Sequence, residues 1–150
     1  MVVLAIPSNR NAELMTEQIA FIPLDEAVKL ADCPGLTADL IKQLALRHKV
    51  LAWGEKPGRG MVIDQQDLEE IASTLREARA EGVGQYISAY DVEHRYGIHR
   101  STWGRWRERG YIRNENDLLC LEDVCFVAKL AECTGYTRGR PLFPNSYKPY

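Results

Sequence analysis

The sequence predicts a mainly α protein with short β-hairpin wings, arranged as two tandem winged helix-turn-helix units. Three observations predict it. Apolar residues recur at helical spacing in short stretches. Glycines, or a Cys33-Pro34-Gly35 turn, end those stretches. Two pairs of short apolar runs flank turn-forming residues, as in hairpins.

Residues 1–21 read as an N-terminal arm or first strand. The first unit covers residues 22–81. Leu24, Ala27, Val28 and Ala31 follow the i, i+3, i+4, i+7 stripe of a short helix. Thr37 caps a second helix, Ala38 to about His48, with Leu40, Ile41, Leu44 and Ala45 inward. Val50-Leu51-Ala52-Trp53 and Met61-Val62-Ile63 form the hairpin around a Gly/Pro turn. Asp64 then caps a longer helix carrying Leu68, Ile71, Ala72 and Leu75, which stops at Gly82-Val83-Gly84.

After a linker at 82–86, residues 87–135 repeat the plan. Ser88-Ala89-Tyr90-Asp91 resembles a capping box and opens a helix ending at Tyr96-Gly97. His99 caps the helix Arg100–Arg109, closed by Gly110. Tyr111-Ile112-Arg113 and Leu118-Leu119-Cys120-Leu121 give the second hairpin, and Glu122-Asp123 opens the last helix. The matching landmarks are Ile22 with Ile87, Gly35-Leu36-Thr37 with Gly97-Ile98-His99, and Val50-Leu51 with Tyr111-Ile112. Residues 136–150 hold Pro141, Pro144 and Pro149 and read as an extended tail whose aromatics pack on a partner subunit.

Composition narrows the function. With 45% hydrophobic and 27% charged residues, the chain is an ordinary globular protein. No apolar run reaches the roughly 20 residues of a bilayer span, and the apolar start Met1–Pro7 is too short for a signal sequence. A cytoplasmic protein without membrane contact is expected. Cys33, Cys120, Cys125 and Cys133 form no C-x-x-C pair and read as buried reduced thiols. The alternative is a zinc site on Cys120, Cys125 and Cys133 with His94 or His99; no cofactor or metal is expected. P-loop, G-x-S-x-G and H-E-x-x-H motifs are absent, and His48, His94 and His99 lie in no nucleophilic pattern, so no enzyme is expected.

Charge points to a polyanion on one surface. Between His94 and Arg113 lie six arginines and one acid, whereas between Asp64 and Glu81 six acids face two arginines. On a helical wheel Trp103 and Trp106 form the inward face of Arg100–Arg109, and Ser101, Gly104, Arg105 and Glu108 face outward. Such a helix fits a major groove about 12 Å wide. Arg105 is the expected bidentate contact to guanine, and Arg100 and Ser101 reach a base edge or phosphate. Glu108 accepts from cytosine or pairs with Arg105. Arg95, Arg107, Arg109 and Arg113 are expected on phosphates, and Gly104 permits close backbone approach.

The run Tyr96-Gly97-Ile98-His99-Arg100-Ser101-Thr102-Trp103-Gly104-Arg105-Trp106 through Gly110-Tyr111-Ile112 resembles the core of MerR/excisionase-type winged helices, G-[VI]-S-x-x-T-[LV]-x-R-W-x-x-x-G-x-[IL]. Gly97, Ile98, Thr102, Arg105, Trp106, Gly110 and Ile112 match. Trp103 replaces an aliphatic residue, and His99 replaces the cap serine. The resemblance is strong over about residues 87–113. It implies a sequence-specific DNA-binding protein of excisionase or transcription-regulator type from a phage or other mobile element. The alternatives are a small-terminase-like packaging component and a winged-helix protein-interaction adaptor. Double-stranded DNA and a second copy of the chain are the expected partners. In the first unit Lys42, Gln43, Lys56 and Arg59 are the candidate DNA contacts. In the tail Arg138 and Arg140 belong to an R-G-R-P run similar to an AT-hook, whose extended backbone lies in a minor groove.

Overall fold

The computed structural model describes residues 2–5, 20–54 and 60–150. Lys56 and Arg59 therefore lie outside the described residues. The chain is mainly helical, with small antiparallel sheets. It divides into two compact units, Met1–Ser73 with Gly139–Tyr147, and Thr74–Arg138 with Lys148–Tyr150. Among the described residues no helix is long and apolar enough to cross a membrane.

Unit 1 holds β1 (Val2–Ala5), β2 (Phe21–Pro23), α1 (Leu24–Ala31), α2 (Ala38–Leu46), β3 (Ala52–Gly54), β4 (Val62–Asp64) and the start of α3 (Gln65–Glu81). Its sheet runs β1-β3-β4-β2, with Ile63 opposite both Ile22 and Ala52. The Thr37 hydroxyl accepts from Leu40 N at 3.3 Å and starts α2, whose Leu40, Ile41, Leu44 and Ala45 are buried. Leu142, Phe143 and Tyr147 of the tail complete this core.

Unit 2 holds the remainder of α3, then β5 (Tyr86–Ser88), α4 (Ala89–Tyr96), α5 (Arg100–Glu108), β6 (Asn114–Glu115), β7 (Leu118–Cys120) and α6 (Leu121–Thr134). Its sheet runs β5-β7-β6. Ser88 caps α4 by accepting from Asp91 N at 3.2 Å, and His99 Nδ1 caps α5 by accepting from Ser101 N at 3.0 Å. Val124, Phe126, Val127 and Leu130 bury α6. Gly82 is fixed by crowding, because a Cβ there would lie 2.5–2.7 Å from the backbone of Leu121 and Glu122. The turn after α3 can therefore meet the start of α6 only without a side chain.

The run from β2 to α3 and the run from β5 to α6 share the order strand, helix, helix, strand, strand, helix, and β2 pairs with β4 as β5 pairs with β7. The hydrogen bonds repeat as well. Asp64 N donates to Leu51 O at 2.9 Å, and Cys120 N to Arg113 O at 2.8 Å. Gln65 N donates to Ala20 O at 2.8 Å, and Leu121 N to Gln85 O at 2.9 Å. Asp67 and Asp123, each third in its helix, accept from Leu51 N at 2.9 Å and Arg113 N at 2.7 Å. A buried carboxylate in each unit thus fixes the chain where it enters the hairpin, by charge-assisted bonds to backbone N–H.

These bonds correct the wing register. Arg113 corresponds to Leu51, so Ile112 pairs with Val50, one residue later than the landmark match expects. The hairpin strands are Asn114–Glu115 and Leu118–Cys120, with Asn116 at φ 55 in the turn. Tyr111 and Ile112 are consecutive and both buried. Strand alternation would expose one of them.

Candidate nucleic-acid interface

Helix α5 is held from below by indoles. Trp103 is fully buried, Trp106 is 6% exposed, and their rings meet edge to face at 5.0 Å. Trp103 Nε1 donates to Ile98 O at 3.1 Å, so the burial leaves no polar atom of the ring unpaired. Tyr136 abuts Trp106 at 5.7 Å from the far end of α6. Burial in this anchor fixes the rotation of α5 about its axis. The opposite face then presents Ser101, Arg105, Glu108 and Arg109 exposed, with Gly104 and Arg107 half-buried.

The arginines fall into two groups. Arg100 pairs with Glu93 at 3.3 Å and lies over the Tyr90 ring at 5.5 Å, and Arg95 lies 6.0 Å from the Tyr96 ring. Arg105, Arg107 and Arg109 have no carboxylate partner among the described residues, and Glu108 does not pair with Arg105. The Arg105 guanidinium instead donates to the Thr102 hydroxyl at 3.3 Å. Thr102 is itself buried, so this bond ties the head of Arg105 to the helix. A Cβ on Gly104 would meet nothing within 4 Å, so internal packing does not require the glycine. His99, the α5 cap, also has Nδ1 at 2.7 Å from the Ser101 hydroxyl, and its Nε2 lies 3.8 Å from Glu93.

Arg113, expected on phosphate, is held by a carboxylate while its side chain stays half-exposed. Its guanidinium donates to Asp123 at 3.0 and 3.1 Å, and Tyr150 stacks over it at 4.5 Å. Asp123 also accepts from Arg79 at 2.8 Å and from the Tyr150 hydroxyl. Arg79 in turn lies 4.4 Å over Phe126. Burial alone would raise the Asp123 pKa, yet the bonds from Arg113, Tyr150 and Arg79 together hold the carboxyl below the usual range. Burial and the bond to Asp123 push the Tyr150 phenol up to about 12. Periodicity gave no sign of this cluster. The available signal was an acid at the third position of the last helix in both units. The wing itself carries Glu115 and Asp117, which repel phosphate.

In unit 1 the corresponding surface is covered. Gln43 Nε2 donates to Leu142 O at 3.0 Å, and Arg47 donates to Pro141 O. The Tyr147 hydroxyl donates to Gly35 O at 2.7 Å, and Phe143 stacks on Tyr147 at 4.5 Å. Of the tail aromatics expected on a partner subunit, Phe143 and Tyr147 are buried within their own chain, whereas Tyr150 is exposed. Gln43 is committed to the tail, while Lys42 is half-exposed. Arg138 and Arg140 are exposed, but Arg138 and Gly139 form a turn with Gly139 at φ 91. That is not the extended backbone the AT-hook likeness implies.

No group of three or more His, Cys, Asp or Glu among the described residues is arranged to hold a metal ion. No protein family, curated protein or solved structure matches this chain.

Proposed function

We propose that the chain is a sequence-specific DNA-binding protein of excisionase or transcription-regulator type, built as two tandem winged helix-turn-helix units, in which α5 enters the major groove. One observation carries the reading. A helix anchored by two buried indoles turns outward a face on which Arg105, Arg107 and Arg109 have no carboxylate partner among the described residues. Unpaired guanidiniums on a rigid helix match what groove recognition needs, a fork for guanine O6 and N7 flanked by phosphate contacts. Arg105, steadied by Thr102, is the base-reading residue. Arg107 and Arg109 hold phosphates, and Arg95 and Arg100 extend that contact. Gly104 fits beside them as the place where the helix backbone comes closest to the groove.

The tandem-unit reading is supported by the repeated element order and by the paired hydrogen bonds of Asp67 and Asp123. Selection of bound duplexes from a random pool at near-physiological salt tests the proposal. An enriched motif is the expected outcome, and its symmetry or repeat spacing reports how many copies bind together. Retention of DNA without any enriched motif, or no retention at all, contradicts it.

A further inference from the structure

We propose that unit 1 grips the sugar–phosphate backbone of double-stranded DNA through Arg47 and Arg140, at a site created when residues 139–147 dock on α2. The inference rests on the DNA-binding reading of α5 and extends it to a surface that reads no bases.

The position of Gln43 explains why unit 1 cannot read sequence as unit 2 does. Arg47 N donates to Gln43 O at 3.0 Å, and Arg109 N to Arg105 O at 3.0 Å, so Gln43 occupies in α2 the place of Arg105 in α5. Its amide is already bound to Leu142 O. Buried Leu142, Phe143 and Tyr147 fasten that segment down. The recognition face of α2 is thereby closed by the chain's own tail.

The same docking assembles a positive site. Arg47, just past the end of α2, donates to Pro141 O, which brings its guanidinium to the backbone next to Arg140. Arg140 is exposed, and neither arginine has a carboxylate partner among the described residues. Burial and the Arg140 charge both lower the Arg47 pKa, the signature of like charges brought together without a counter-ion. An anion between them removes that repulsion. Phosphate oxygens fit the planar donor forks better than a single point charge does. A duplex backbone supplies such oxygens without any demand for base contact.

The test uses the full chain with Arg140→Glu, Arg140→Lys and Arg105→Ala, each titrated with the selected duplex and an unrelated one over a range of salt. Arg140 is exposed and makes no hydrogen bond among the described residues that the change would break. The expected result is that Arg140→Glu lowers affinity equally for both duplexes and reduces the salt slope by about one unit. Arg140→Lys keeps the slope, and the preference for the motif is unchanged in both variants. If Arg140→Glu leaves affinity and slope intact while Arg105→Ala still loses the motif, the inference falls and the reading of α5 stands. If the unsubstituted chain binds neither duplex, both fall together.

Discussion

Replacing Gly104 with alanine separates the stability of α5 from its proposed task. Gly104 lies in the interior of α5, where glycine is less favourable than alanine by about 1 kcal/mol through backbone entropy. The added methyl group meets no protein atom within 4 Å, so no packing penalty offsets the gain. The variant should therefore be more stable by about 0.5–1 kcal/mol. For a urea slope of about 2 kcal/mol/M, that is a rise in midpoint of about 0.3–0.5 M. Chemical denaturation followed by tryptophan fluorescence reads this directly, since Trp103 and Trp106 sit under the helix. If α5 enters the groove as proposed, the same methyl group holds the backbone away from the DNA, and affinity for the selected duplex should fall by about tenfold, or about 1.4 kcal/mol. A variant that is stabilised and binds DNA unchanged would show that the glycine serves no close approach. A destabilised variant would refute the geometry assigned to the outer face of α5.

Other substitutions test the frame around the site. Gly82→Ala has the opposite sign, because its methyl group would meet backbone atoms of Leu121 and Glu122 at 2.5–2.7 Å that cannot move independently; a loss of about 2 kcal/mol or more in urea denaturation is expected. Asp123→Asn leaves Arg79 and Arg113 facing a neutral amide and should cost about 3 kcal/mol. The folded pKa of Asp123 lies below its unfolded value of about 3.9, so its stabilisation is complete above that value and is lost as pH falls through the folded pKa. Denaturation midpoints measured from pH 6 downward should accordingly drop less in Asp123→Asn than in the unsubstituted chain. Tyr147→Phe removes the hydroxyl that donates to Gly35 O and strands that carbonyl, at a cost of about 1–2 kcal/mol; protease cleavage in residues 139–147 should become faster. Arg107→Ala should weaken binding to every duplex alike and reduce the salt slope by about one unit.

The parts of the fold legible in the sequence are those set by local chemistry. Thr37, Ser88 and His99 are found at the helix starts they were expected to cap, and the spacing of Trp103 and Trp106 told which side of α5 is buried. The parts that were not legible depend on contacts between distant residues. Asp123 draws together Arg79, Arg113 and Tyr150, and no periodic pattern distinguishes that acid from a solvated one. The same bonds hold Arg113 at the wing and move the strands to Asn114–Glu115 and Leu118–Cys120. The tail shows the same limit. Its prolines correctly argue against a helix, but only the buried contacts of Leu142, Phe143 and Tyr147 show that it lies along α2. For the site, the exposed arginine face was readable from the wheel. The intramolecular bonds of Gln43 and Arg113 were not, because their partners lie far along the chain or in the next helix.

The most direct test of the central claim pairs Arg105→Ala with single base-pair changes in the selected duplex, measuring affinity for every combination. The account predicts that Arg105→Ala costs about 1–3 kcal/mol on the selected duplex and almost nothing once one particular G·C pair has been replaced. The loss would then be coupled to a single position. An equal loss on every duplex, or none on any, would contradict the assignment of Arg105 as the base-reading residue and of α5 as the helix that enters the groove.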